Sequence, residues 1–199
     1  AKRDFEVSNL DDFKPGKEMK VLVGSGKEKV EVFVGVIVKH SIKIRGASGS
    51  ALIIDCKDIS AKLTVGRRNQ FYEQQLDSEI ISDILDRNKL KSELELTKVK
   101  HPEMVQYNCT DWDFIVTRAE ANGFVVIVEK GVVFIKEPKV EESEDNLIEY
   151  GNTIYDFDAQ LNAFTQYEKI TAQSWSISDE NIFEEEGNVS GLEKQGNIK

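Results

Sequence analysis

The apolar residues change period along this chain, and that change constrains the fold more than any single motif does. From Met19 to Cys56 they come in alternating or β-branched stretches: Met19–Val23, Val30–Val38, Ile42–Arg45 and Ala51–Cys56. Side chains on a strand point alternately to its two faces, so these stretches predict strands. Turns are expected at Phe13-Lys14-Pro15-Gly16, Gly24-Ser25-Gly26 and Gly46–Ser50. Gly35, inside the second stretch, predicts a bulge or a bend at a barrel corner. Short strands separated by Gly/Ser turns suit a small antiparallel barrel or sandwich.

The spacing then becomes helical. Asp77-Ser78-Glu79 offers a cap and an acidic first turn, and Ile80, Ile81, Ile84 and Leu85 form one stripe behind it. A second helix is expected to start at Thr110, where Thr110 and Asp113 have capping-box spacing. Trp112, Ile115, Val116 and Ala119 line one face, and Asn122-Gly123 stops the helix. Phe124–Val128 and Val132–Ile135, joined through Glu129-Lys130-Gly131, read as a hairpin packed on that helix and buried on both faces. The acidic stretch 138–146 reads as a linker. Strand-like sequence resumes at Leu147–Tyr150, Ile154–Leu161 and Thr165–Ile177, and the residues from Glu184 onward read as a solvated tail. No internal repeat is evident. The expected class is α+β and β-rich, with small antiparallel barrel domains separated by a helix-hairpin α/β segment.

Charge narrows the partners. The 199 residues carry a formal net charge of -10. That balance argues against nucleic-acid binding, which needs a basic footprint, and against docking on an anionic membrane. No apolar run approaches the ~20 residues of a membrane-spanning helix. The chain opens Ala-Lys-Arg-Asp without Met and is expected to be an interior piece of a longer protein.

Few residues suggest chemistry. Val21–Lys27 places a strand before Gly24-Ser25-Gly26-Lys27, but Val21 and Glu28 occupy positions where a phosphate loop needs Gly and Ser or Thr. A hairpin turn explains the stretch. Asp111 and Asp113 could be paired carboxylates, yet acids in a first helical turn stabilise the helix without any chemistry. Asp55 and Asp58 are a strand-end pair with Lys57 between them, and nothing else in the sequence converges on them. His40 and His101 lack a nucleophile motif, and Cys56 with Cys109 makes neither a disulfide framework nor a metal spacing. Lys57, Lys62, Arg67 and Arg68 form a modest basic cluster, read as a solvated face or a protein contact. The sequons at Asn108 and Asn188 are discounted because no secretory signal precedes them. No catalytic, cofactor-binding or metal-binding residue and no cofactor is expected, and the interface residues are unknown.

Several segments, in order, resemble the VgrG spike proteins of type VI secretion and the phage late control D tail proteins. They are Phe5–Asn9 with Phe13–Glu18, Gly35–Ile44, and Asp55–Asp58 with Thr64–Arg67. Asp111-Trp112-Asp113-Phe114 follows with Arg118–Gly123, and last come Tyr150–Ile154, Phe157-Asp158-Ala159, Thr165-Gln166-Tyr167 and Trp175. The resemblance implies a tail-hub region of two related barrels around an α/β segment. Residues 1–66 would be a partial first barrel, 67–140 the α/β segment, 141–183 the start of the second barrel and 184–199 a flexible linker or tail. It also implies a non-enzymatic hub segment of a cell-puncturing spike in a contractile injection apparatus, linking tube to needle. The intact protein would be a homotrimer contacting a hexameric tube protein and baseplate proteins. It would assemble in the cytoplasm and then be secreted or translocated with the apparatus. The first barrel would lack its earliest strands, which leaves an unfinished edge. The alternative is a small glycan- or peptide-binding module, with Trp112 exposed for stacking. An acid-based wall hydrolase is a third possibility and would need two acids converging in a cleft.

Overall fold

The computed structural model describes residues 7–26, 28–45, 49–139, 147–154, 156–160, 169–176 and 179–187. The fold is α+β and β-rich, and the chain divides into two compact units, Ala1–Glu142 and Ser143–Lys199.

The first unit opens with an antiparallel sheet in the order β1 (Glu18–Ser25), β2 (Glu28–Arg45), β3 (Gly49–Lys57). The two stretches expected as separate strands at Val30–Val38 and Ile42–Arg45 are one continuous strand. β1 pairs with its first half and β3 with its second, so each half is held by a different partner. The register shifts between Val21 and Leu22 and again between Ile37 and Lys39. Each shift adds a residue on β2 and reverses its inward-outward phase. Gly35 is needed for contact, because a Cβ there would lie 2.2 Å from the Lys57 carbonyl oxygen. Among the described residues no sheet closes on itself.

A 3-10 turn, Ile59–Thr64, leads into the body of the unit. Asp58 caps this turn by accepting from the Ser60 N–H at 2.8 Å. Its other oxygen accepts from the Gly131 N–H at 2.9 Å, which ties the turn to a distant hairpin. The body contains β4 (Arg68–Leu76), α1 (Asp77–Arg87), β5 (Lys91–Leu94), β6 (Lys100–Cys109), α2 (Asp111–Ala121), β7 (Val125–Glu129) and β8 (Val132–Lys136). β4 pairs with β6, and β5-β8-β7 form a mixed sheet. Ile80, Ile81, Ile84, Leu85, Phe114, Ile115, Ala119, Val133 and Ile135 are buried together as the core. Trp112 is half-buried against this core.

The body is an internal duplication, which corrects the expectation of no repeat. Strand β4 runs into α1 as β6 runs into α2, and equivalent residues lie 34 apart, as Tyr72 and Gln106 do. The register fits a local two-fold. Phe71 opposes Val105 on the axis, Gln70 opposes Gln106, and Tyr72 opposes Met104. Gln74 and Asn108 both have positive φ, and so do Lys89 and Gly123. After each helix the chain turns back in the same way: the Leu90 N–H reaches the Leu85 carbonyl at 3.0 Å, and the Phe124 N–H reaches that of Ala119 at 2.9 Å. Across 68–94 and 102–128 only Asp77/Asp111, Ile81/Ile115 and Asn88/Asn122 are identical.

Local expectations fare unevenly. Thr110 caps α2 as expected, accepting from the Asp113 N–H at 3.0 Å. At α1 the cap position is Leu76 rather than Asp77, and the Glu79 side chain accepts the Leu76 N–H at 2.8 Å. The β7–β8 hairpin forms, with Lys130 and Gly131 at positive φ in its turn. Its burial is one-sided: Val125 and Ile127 are exposed while Val133 and Ile135 are buried. The helices cover a single face of this sheet, so the apolar run does not signify burial on both.

In the second unit, residues 147–154 form a turn instead of the expected strand. The N–H groups of Asn152, Thr153 and Ile154 donate to the Glu149 carbonyl. β9 (Ile170–Ser176) and β10 (Asn181–Gly187) make an antiparallel hairpin, so Glu184–Gly187, read as tail from the sequence, belong to a strand. Residues 156–160, also expected as strand, are in no strand, while Tyr155, residues 161–168 and Ile177 lie outside the described residues.

Candidate assembly surface

The residues that sequence alone made suspect are placed by the fold in structural positions. Asp111 is buried at 3% exposure, while Asp113 is exposed, so the two do not form a working pair. Asp111 accepts from Arg87 at 3.0 Å, Gln106 at 2.9 Å and Asn88 at 2.8 Å, and Arg68 lies at 3.3 Å. Its counterpart Asp77 is 1% exposed. It accepts from Arg118 at 2.6 and 2.9 Å and from Asn122 at 2.9 Å, with His101 Nε2 at 3.0 Å. Each helix therefore begins with an aspartate held by an arginine and the terminal asparagine of the other helix. Burial pushes the Asp77 carboxyl up, but the bonds from Arg118, Asn122 and His101 outweigh it and leave it at about 2. Burial likewise opposes ionisation of Asp111, and the bonds from Gln106, Asn88 and Arg87 hold its carboxyl below the usual range. Two satisfied carboxylates gripped this way clamp the helices together and have no free oxygen to offer a substrate. Sequence pointed to Asp111 but missed Arg87, Asn88, Gln106, Arg118 and Asn122. The recurrence of Asp and Asn at one spacing was the available signal.

The other candidates do not converge. Asp55 is exposed at 3.5 Å from Lys39, whereas Asp58 caps the 3-10 turn. Arg67 donates to the Asn108 carbonyl at 2.6 Å, Arg68 turns to Asp111, and Lys57 ends β3. Both cysteines are free and half-buried. The strand β2 begins at Glu28 where a phosphate loop would need a helix. Lys27 and Asn188 lie outside the described residues. Among the described residues no group of His, Cys, Asp or Glu is arranged to hold a metal, and no helix is long and apolar enough to cross a membrane.

The distinctive surface is the β1-β2-β3 sheet. Cross-strand partners share a face, so the register sorts its residues. Pairs Val21–Phe33, Val23–Val30, Ile37–Cys56, His40–Ile54 and Ile42–Leu52 fall on one side. Lys20, Glu31, Lys39, Lys43, Asp55 and Lys57 fall on the other. The first side is mostly apolar, with His40 and Ser50 along it and the Ser25–Glu28 pair at its end. Only near Ile37, 1% exposed, is it fully covered; Val30 is 66% and Ile44 is 68% exposed. Covering one such side chain contributes about 1.5–3 kcal/mol. The other side also carries Leu22, Val34, Val36 and Ile53 among its charges. A largely apolar exposed face such as the first is characteristic of an interaction site.

Comparison with known proteins bears on the fold. The crystal structure of a tail protein from Neisseria meningitidis MC58 is similar at a TM-score of 0.59 and 11% identity, covering 82% of this chain and 53% of that one. A 43 kDa tail protein of prophage MuSo2 from Shewanella oneidensis matches at a TM-score of 0.47 and 14% identity, over 61% of this chain and 38% of that one. An E. coli protein, described as a type VI secretion component structurally similar to the T4 tail proteins gp27 and gp5, matches at 0.46 and 16%, over 81% and 44%. The chain thus spans about half, or less, of the length of these proteins. No curated protein sequence matches it. One family model, described as Alg8 N-terminal domain, matches residues 1–199.

Proposed function

The chain belongs to the Alg8 N-terminal domain family, and on that premise we propose that it is a non-enzymatic hub segment of a phage-tail-like or type VI contractile injection apparatus. In this role it connects the tube to the needle of a cell-puncturing spike. The intact protein acts as a trimer against a hexameric tube protein and baseplate proteins, assembling in the cytoplasm before translocation. Residues 1–66 and 141–183 then correspond to parts of two barrels flanking the segment 67–140.

The observation that carries this reading is the open apolar face of β1-β2-β3, in a fold similar to that of a tail protein. A hub works through interface area and symmetry, and copies of the chain gain by burying such a face. Trp112 sits half-buried against the core, which leaves little ring to stack on a glycan and weakens the binding-module alternative.

Light scattering of the full-length protein after size exclusion tests the reading. A trimer that Val30→Glu/Ile44→Glu dissociates is expected. A monomer at tens of micromolar, or a trimer indifferent to both substitutions, contradicts it.

A further inference from the structure

We propose that the edge of β2 over Val38–Ile44, on the side where β1 has ended, is a strand-addition site for an extended segment that alternates acidic and apolar residues. The register defines the slot. β1 accompanies β2 only as far as Val36, and the turn before β1 bonds one residue more: the Gly16 N–H donates to the Ile37 carbonyl at 2.8 Å, and the Ile37 N–H donates to that of Lys17 at 2.9 Å. From Val38 onward, among the described residues, no strand pairs on this side, while β3 holds the opposite edge through Arg45. An incoming strand therefore meets a rigid template of backbone donors and acceptors already fixed by β3.

Side chains specify what fits. Ile42 and Ile44, 44% and 68% exposed, project from one face of the slot. Lys39 and Lys43 project from the other, both exposed, with Ser41 between them. The charged neighbour of this row is Asp55 on β3, 3.5 Å from Lys39, and Lys43 opposes Ala51. This basic row stands out in a chain of net charge -10. Lysines on an edge deter pairing with an identical edge, because two copies would set lysine against lysine. The same lysines favour a strand whose acids fall on their face and whose apolar residues extend the Ile42–Ile44 face. The occupant is therefore an acidic partner strand and not this edge of a second copy.

The site does not depend on the hub reading, since it can be filled on a monomer. The test uses the 199-residue chain and two labelled octapeptides, one alternating Glu and Val, the other Lys and Val. Anisotropy should show the Glu/Val peptide binding at least about tenfold tighter, a difference of about 1.4 kcal/mol. Added salt should narrow that gap. Lys39→Glu/Lys43→Glu, checked for folding by circular dichroism, should invert the preference. Hydrogen exchange should place new protection at Val38–Ile44. Equal binding of the two peptides, no binding of either, an unchanged preference in the double variant, or protection elsewhere overturns the proposal. Trimerisation with no peptide binding sinks this site and spares the hub reading; peptide binding by a monomeric intact protein does the reverse.

Discussion

The body from β4 to β8 and the β1-β2-β3 sheet are made of similar residues, yet they solve the burial problem in opposite ways. In the body, Ile80, Ile84, Leu85 and Ile115 are at 0% exposure, and the two buried aspartates have charged partners within the same chain. In the sheet, Val23, Val30 and Ile44 are each more than half exposed. The body is stabilised by what the chain itself supplies, whereas the sheet leaves apolar surface for something else to cover. Apolar content alone does not distinguish a core from an interface; the presence of a covering element does.

Substitutions can separate the two regimes. Ile115→Ala should have the largest effect, about 3–4 kcal/mol in chemical denaturation, because the site is closed on all sides and a cavity would remain. Asp111→Ala should cost about 3 kcal/mol, by leaving Arg87, Asn88 and Gln106 with unmatched donors. The cost falls short of a fully buried pair because Arg87 and Arg68 are partly in solvent. Ile44→Ala in the dispersed chain should change stability by less than about 0.5 kcal/mol. If Ile44→Ala proved as costly as Ile115→Ala, the contrast between body and sheet would collapse.

Acid sharpens the same contrast, with an effect between these extremes. The Asp77 carboxyl sits at about 2 in the folded chain against an ordinary 3.8. A carboxyl depressed on folding adds stability above its unfolded pKa and loses it as pH falls through the folded one. Asp77 should thus contribute about 2 kcal/mol at neutral pH, lost between about pH 4 and pH 2. Asp111 titrates in the same direction. Asp77→Asn should flatten that acid limb in denaturation curves taken from pH 6 to pH 2.

Much of this was legible in the sequence where the determinants are local. Thr110 and Asn122-Gly123 bracket α2 because capping depends on a few adjacent residues. The hairpin after it followed from two β-branched runs around Lys130-Gly131. What stayed hidden depends on distant partners. The 18-residue β2 is interrupted in sequence by Gly35 and by Lys39-His40-Ser41, and only pairing to two other strands makes it continuous. The exchange of Asp77 and Asp111 between helices joins residues from separate elements. The duplication that produces it keeps three identities, too few to register as a repeat. Local pattern likewise could not tell that β7 and β8 are covered on one side, since a run of Val and Ile reads alike with one covering layer or two.

Hydrogen exchange of the full-length protein, dispersed and then assembled, tests the division of labour most directly. Amides of α1, α2 and β8 should be equally protected in both states, while those of β1, β2 and β3 should gain protection on assembly. Equal protection of the sheet in the two states would contradict the view that its apolar face is completed from outside the chain.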